Sequence, residues 1–282
     1  MAVMSWRFPR AVRRVTHVSS TVDRMGEQAL FFARAVATIP RALVHYPKET
    51  VRLVAEISMG TGALAVIGGT VVIVGFLTLF TGGIIAVQGF SSLGNIGVEA
   101  LTGFFAAFIN VRIAAPTIAG IGLAATIGAG STAQLGAMRV SEEIDALETM
   151  AIPSIPYLVS TRVLAGMIAI IPLYSLAVIA SFVASRFATV VLYGQSAGVY
   201  DHYFTTFLIP TDILWSFVQA IVMAVAVMLI HTYYGFNASG GPVGVGVAVG
   251  NAVRASLVAV VTVTLLISLA VYGATGNFNL SG

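Results

Sequence analysis

Long apolar runs separated by short polar stretches dominate this chain. Five runs, at roughly 62–88, 100–136, 157–186, 212–234 and 252–273, are long enough to cross a membrane as helices. About 20 apolar residues in a helix span a hydrocarbon core of about 30 Å. Barrel strands are much shorter, so the runs do not indicate a barrel. The pattern predicts an all-α integral membrane protein with five transmembrane helices.

Two parts of this pattern predict irregular structure. The run 100–136 is too long for one simple crossing and contains Arg112 and Pro116, which predicts a re-entrant or broken beginning followed by a full span. The Gly-rich stretch 235–250 predicts a loop before the fifth span. Tyrosines in the mixed segment 189–211 are typical of a membrane–water boundary.

The N-terminal region has a different pattern. Residues 1–26 are basic and irregular, which predicts a cytoplasmic arm. Residues 27–58 alternate apolar residues with regularly placed charges, which predicts amphipathic helices lying in the membrane interface. The membrane domain then covers 59–282.

The positive charges predict the orientation. Nine of the 14 Lys and Arg residues lie in residues 1–52, which places the N-terminus in the cytoplasm and, after five crossings, the C-terminus outside. The 138–162 loop carries Arg139 and Arg162, and the 235–254 loop leads into Arg254. The 89–100 and 189–211 loops carry no Lys or Arg. The basic N-terminal region and the distribution of Lys and Arg among the loops together predict a multi-pass protein of the cytoplasmic (inner) membrane.

Composition narrows the chemistry. The chain is 58% hydrophobic and 9% charged, and it contains no cysteine, which excludes disulfides and thiol catalysis. The four histidines show no metal-ligand spacing. Lys48 is the only lysine, so the glycines at 241–250 cannot form a phosphate-binding loop. We therefore expect no catalytic site and no cofactor. We also expect no nucleic-acid partner, because basic segments beside a membrane usually contact lipid headgroups.

A short charged segment between the second and third runs is the clearest functional signal. We predict a helix at about 139–151, with Ser141 as N-cap and with Val140, Ile144, Leu147 and Ala151 on one face. It is either a connector lying on the membrane or a coupling helix that docks a cytoplasmic partner. Anionic lipid would repel its carboxylates, which favours docking. The candidate docking residues are Arg139, Ser141, Glu142, Glu143, Asp145, Leu147 and Glu148.

Two features of the second run are ambiguous. The small residues Gly120, Gly122, Gly128 and Gly130 allow close helix packing, either within the chain or against a second membrane subunit. Arg112 lies inside an apolar run, and no obvious intramembrane carboxylate accompanies it. It either reaches the interface or lines a substrate path.

Three stretches resemble the MlaE/YrbE permeases, the membrane subunits of ABC transporters that work with MCE-domain proteins. Residues 134–148 resemble the family's segment around Ala-Glu-Ile/Leu-Gly and the following Ser/Thr-Glu-Gln. Residues 88–90 resemble its Gln-Gly-Tyr/Phe, and residues 112–116 resemble its Arg-Glu-Leu-Gly-Pro. The segment 233–246 is most similar to actinobacterial YrbE proteins of mammalian-cell-entry loci, of the B type.

The resemblance implies a function and partners. It implies a permease subunit of an ATP-driven, Mce-type lipid transporter that imports lipid or fatty acid. A second permease, a cytoplasmic ATPase dimer holding ATP and Mg²⁺, and extracytoplasmic MCE-domain proteins would complete the assembly. The residues implied for the lipid pathway are Gln88, Phe90, Arg112 and Ile113.

Three positions depart from the family pattern. Ile113 and Gln134 stand where the family has Glu, and Thr126 stands where it has Arg. A homodimer would lack these charges, so we expect a heterodimer with an A-type permease that keeps them. The competing functions are a stand-alone secondary transporter or channel, and a non-transporting membrane anchor.

Overall fold

The computed structural model describes residue 23 and residues 25–59 and 69–273, and every regular element in these ranges is helical. Five helices within the described ranges are long and apolar enough to cross a membrane, and we call them the first to fifth spans. They are Thr70–Gly94, Glu99–Val140, Ile155–Leu192, Pro210–Phe236 and Gly241–Tyr272. The predicted fold class, an all-α integral membrane protein, is confirmed. Most of the predicted basic arm and the first residues of the predicted run 62–88 lie outside the described residues.

Among the described residues, three helices precede the first span: residues 25–37, Ile39–His45 and Pro47–Met59. We call the third one the interfacial helix. The first of these helices contacts the fourth span, and the other two contact the third span. The Phe31 ring contacts the Tyr233 ring at 5.4 Å between centroids, and the Thr38 hydroxyl lies 2.8 Å from that of Ser160. These helices therefore cover one end of the bundle.

The second span holds the bundle together. It contacts the other four spans, whereas the third packs along the first and fourth and the fourth packs along the fifth. Leu123, Tyr174, Met223 and Met228 are buried where these spans meet. The first and fifth spans bury the smallest shares of their residues. Their exposed apolar faces suit lipid or a further membrane helix.

The prediction of a re-entrant or broken beginning to the second span is wrong. Glu99–Val140 is one continuous helix of 42 residues. Wider π-helical turns occur at Asn110–Ala114 and Ala124–Gly128. Proline has no N–H to donate to the carbonyl four residues earlier, and the wider turn just before Pro116 shifts the bonding register instead of breaking the helix.

The predicted start of the fifth span at 252 is also wrong. The helix begins at Gly241, so most of the predicted Gly-rich loop is helical. Gly240 and Gly241 have φ angles of 91° and 69°, a conformation that glycine adopts without steric cost, and they turn the chain. Pro242 then lies in the first turn, where its missing N–H costs nothing. In a membrane the backbone must satisfy its own hydrogen bonds, which outweighs the low helix propensity of glycine.

The charged helix is shorter than predicted. It covers Glu143–Thr149, because the second span continues through Val140. Ser141 is not its N-cap: its hydroxyl donates backward to the Ala137 carbonyl at 3.0 Å. Glu142 separates the two helices with a left-handed φ of 61°. This backbone reversal was not evident from the sequence, because non-glycine residues rarely adopt it.

A further helix, Ala197–Phe207, packs on the beginning of the second span, and we call it the connecting helix. A Cβ on Gly103 would collide with the Tyr200 carbonyl, so glycine is needed at this approach. Tyr200 itself is buried, which is unlike a boundary tyrosine. The sequence pattern had shown only a mixed polar segment here.

Candidate functional site

The bundle has two ends with different surfaces. The charged-helix end contains the three N-terminal helices, the charged helix and the residues around Gln134 and Arg162. The opposite end contains the connecting helix and the start of the fourth span. The candidate residues are divided between them.

The charged helix is anchored by one buried side chain. Ile144 is 0% exposed and packs with Leu135 of the second span and Leu158 of the third. Leu147 is half-buried beside this cluster. Val140 and Ala151, predicted on the same face, are exposed, because the reversal at Glu142 and the positive φ of Ala151 interrupt the helical spacing. The anchor leaves the polar face pointing away from the bundle.

Four exposed carboxylates form the surface of this region, which we call the acidic surface: Glu142, Glu143, Asp145 and Glu148. Arg139 donates to Asp145 at 2.6 Å, and Ser154 donates to Glu148 at 2.6 Å. Ser141 donates to Glu143 at 2.9 Å. Residues 139–148 thus carry one arginine and four carboxylates, a net charge of −3. Six of the seven predicted docking residues lie on or beside this surface, which can attract a basic partner, whereas Leu147 packs against the Ile144 cluster.

Arg112 at the opposite end has a partner that the sequence did not reveal. Its Nε and Nη2 donate to Oδ2 of Asp212 at 2.9 and 2.6 Å. The side chains are only 9% and 16% exposed. The rings of Phe108 and Tyr272 lie 4.1 and 4.2 Å from the guanidinium carbon. The expectation that no carboxylate accompanies Arg112 is therefore wrong: the second, fourth and fifth spans together enclose its charge.

A second ion pair at this end is exposed. Arg186 donates to both carboxylate oxygens of Asp201 at 2.8 and 2.9 Å. These hydrogen bonds hold the pKa of the Asp201 carboxyl below its ordinary range. Asp201 lies on the connecting helix, so the pair ties that helix to the third span.

The four predicted lipid-pathway residues fall into two groups. Gln88 lines an apolar groove of about 580 Å³ between the first and third spans, and Phe90 stacks on Tyr193 with 4.4 Å between ring centroids. Arg112 and Ile113 lie on the second span, where Ile113 is 46% exposed. The contacts described do not join the two groups, and their role in a lipid path stays a prediction.

Three of the four predicted packing glycines are used inside the chain. A Cβ on Gly120 would lie 3.0 Å from Met223, one on Gly122 would collide with Val74, and one on Gly128 would lie 2.5 Å from the His231 ring. Gly130 faces open space. A role against a second permease stays a prediction, for which Gly130 is the one of the four with a free surface.

A buried polar cluster was missed by sequence reasoning. His231 is 0% exposed; its Nδ1 lies 2.7 Å from the Thr132 hydroxyl and its Nε2 lies 3.1 Å from the Ser256 hydroxyl. The cluster joins the second, fourth and fifth spans, as the Arg112 pair does at the opposite end. No group of His, Asp and Glu within the described ranges has the geometry to hold a metal.

Two of the neutral residues that stand where the family has charged ones, Thr126 and Gln134, have hydrogen-bond partners within the chain. The Thr126 hydroxyl accepts from Thr70 at 3.0 Å and donates to the Gly122 carbonyl at 2.6 Å. Gln134 donates to Glu56 at 2.9 Å and accepts from Arg162 at 3.4 Å. These contacts explain both side chains without a second permease.

Comparison with known proteins gives consistent matches. Residues 59–270 match the family described as Permease MlaE. A probable ABC transporter permease protein of Rickettsia bellii is 34% identical over 172 residues, which cover 58% of this chain and 60% of that protein. The chloroplast protein trigalactosyldiacylglycerol 1 of Arabidopsis thaliana is 28% identical over 59% of this chain and 47% of its own length. A probable ABC transporter permease protein of Synechocystis is 26% identical over 59% of this chain and 63% of its own. The matched region thus covers less than two thirds of each of these relatives.

Proposed function

Because the chain belongs to the MlaE permease family, we propose that it is the membrane subunit of an ATP-driven, Mce-type transporter that moves lipid across the cell envelope. The acidic surface carries this proposal. Its helix is anchored by the buried Ile144, yet its four carboxylates are exposed. A transporter that acts alone, without an aqueous partner, has no use for such a surface.

The energy source would be a cytoplasmic ATPase dimer. This chain has no phosphate-binding loop, so ATP and Mg²⁺ belong to that partner. The name of the Rickettsia relative, a probable ABC transporter permease, supports the same division of roles.

The proposed orientation places the charged-helix end in the cytoplasm and the protein in the inner membrane. Arg139 and Arg162 lie at this end, and so do the basic residues of the three N-terminal helices. At the opposite end, Arg112 and Arg186 are both paired with aspartates of this chain. The excess of basic residues at the charged-helix end therefore supports the positive-inside assignment.

The remaining partners rest on the family resemblance. We propose a second, A-type permease as the other half of the membrane unit and extracytoplasmic MCE-domain proteins as carriers, with this chain as a B-type subunit that imports lipid. The name of the Arabidopsis relative contains that of a galactolipid, which supports a lipid substrate. Gly130 and the exposed faces of the first and fifth spans are the surfaces for pairing, and Gln88, Phe90, Arg112 and Ile113 are the candidates for the lipid path.

Charge reversal at the acidic surface tests the proposal. Individual exposed charge pairs contribute little, about 1 kcal/mol or less, so two changes are needed. Glu142→Lys with Glu143→Lys should remove the ATPase from the purified complex while the chain still inserts and folds. The matched control reverses two exposed acids elsewhere, Glu27→Lys with Glu99→Lys, and should retain the ATPase. An ATPase retained at full stoichiometry by the first variant would contradict the docking role.

A further inference from the structure

Arg162 carries a buried charge with an incomplete set of partners. The residue is 5% exposed and lies in the third span near the charged helix. Its Nη1 donates to the Leu158 carbonyl at 2.9 Å and its Nη2 donates to Gln134 Oε1 at 3.4 Å. Its Nε has no protein partner, and among the described ion pairs none includes Arg162. A buried guanidinium stays charged, so its charge must be balanced from nearby.

Gln134 links this charge to a carboxylate. Its Oε1 accepts from Arg162, and its Nε2 donates to Oε1 of Glu56 at 2.9 Å. A side-chain amide can accept from a cation and donate to an anion at the same time, which a carboxylate cannot do. A glutamate at position 134 would place two carboxylates side by side. The neutral residue is therefore matched to its neighbours.

The link continues along the interfacial helix. Arg52 donates to Glu56 at 3.1 Å and to the two oxygens of Glu49 at 2.6 and 3.0 Å. These hydrogen bonds hold the pKa of the Glu49 carboxyl below its ordinary range. The resulting series contains two carboxylates and two guanidinium groups, so its charges balance. Gln134 links one of the carboxylates to one of the guanidinium groups. We call it the polar bridge: Glu49, Arg52, Glu56, Gln134 and Arg162.

We propose that Gln134 is a positioning residue through which the polar bridge latches the interfacial helix to the second and third spans and passes movements of the charged helix to it. Gln134 lies six residues before Val140, the last residue of the second span, or about 9 Å along the helix axis. The charged helix begins three residues after Val140, at Glu143. This inference rests on the proposed function, because a docked ATPase would supply the movement.

Amide hydrogen exchange of the full-length chain in lipid nanodiscs tests the latch without any partner. Gln134→Leu should raise exchange in residues 47–59 on the order of tenfold, the effect expected from losing a hydrogen bond to a charged group. Ala133→Leu, which adds an apolar side chain at the exposed neighbouring position outside the bridge, should leave it unchanged. Gln134→Glu should also raise exchange, and the swap Gln134→Glu with Glu56→Gln should restore protection because it re-creates an amide–carboxylate pair. No rise in Gln134→Leu, or no restoration by the swap, would overturn the latch.

The same measurement on the complex with its ATPase tests the transmission. ATP binding should change exchange in residues 47–59 of the wild-type chain and leave that of Gln134→Leu unchanged. An equal response in both would overturn the transmission. If no ATPase co-purifies with either chain, the proposed function fails, and the partner-free exchange data still decide whether the latch exists.

Discussion

The two ends of the second span hold charge in opposite ways. At one end, Arg112 is enclosed between two aromatic rings and bonded to Asp212. At the other, Glu142, Glu143, Asp145 and Glu148 stand exposed on or just before a helix whose only fully buried side chain is Ile144. Moving a charge out of water costs several kcal/mol unless a partner compensates it. The enclosed charge is therefore committed to holding three spans together, and the exposed charges remain available to another molecule.

The largest expected effect comes from breaking the enclosed pair. Arg112→Ala should lower the free energy of unfolding by about 3–5 kcal/mol, because Asp212 would be left charged and largely buried without a partner. Denaturant unfolding of the purified chain in detergent measures this change.

Two controls separate the loss of charge pairing from the loss of packing. Arg112→Leu with Asp212→Leu should recover much of the stability, since no unpaired charge remains. Arg186→Ala, which breaks the exposed pair at the same end, should change stability little. If Arg112→Ala were as stable as the wild type, Arg112 would not be structural and its assignment to the lipid path would gain support.

A smaller effect is expected from comparing a buried glycine with an exposed one near the charged-helix end. Gly128→Ala would press a Cβ against the His231 ring and should cost about 1–3 kcal/mol in unfolding free energy. Gly130→Ala, two residues away, faces open space and should be neutral or stabilising by up to about 1 kcal/mol. The same unfolding assay compares the two variants. Equal effects would show that the buried polar cluster does not constrain the packing of the spans.

The smallest effect concerns backbone strain at the acidic surface. Glu142 has a left-handed φ of 61°, which glycine tolerates better, so Glu142→Gly should stabilise the chain by about 1 kcal/mol or less. Glu143→Gly, in the first turn of the charged helix, should instead destabilise it by up to about 1 kcal/mol. A gain in stability together with weaker ATPase retention would show that a strained residue is kept for its carboxylate. Destabilisation by Glu142→Gly would contradict the backbone explanation.

Several parts of the fold were predictable because they depend on local properties. The five apolar runs give the five spans, and the acidic residues between the second and third runs identify the charged helix. The boundaries were less predictable. Pro116 and the glycines around Gly244 are helix breakers in water, but both lie inside spans, since backbone hydrogen bonding is compulsory in the membrane.

The candidate site was predictable only in part. The predicted docking residues all lie between positions 139 and 148, so the end of the second span and the charged helix that follows bring them close together. Nothing in the sequence near Arg112 indicates Asp212, which is 100 residues away, or Tyr272 at the end of the fifth span. The partners of Gln134 and His231 are also distant in sequence.

The sequence by itself determined that this chain is an all-α membrane protein, that it has five spans and which segment carries the exposed acids, because hydropathy and charge are properties of each segment. Only the tertiary structure decided which polar residues are enclosed and with whom: Arg112 with Asp212, His231 with Thr132 and Ser256, and Gln134 with Glu56 and Arg162. These pairings depend on which faces of distant helices meet. That in turn is set by where glycines such as Gly122 and Gly128 let the spans approach.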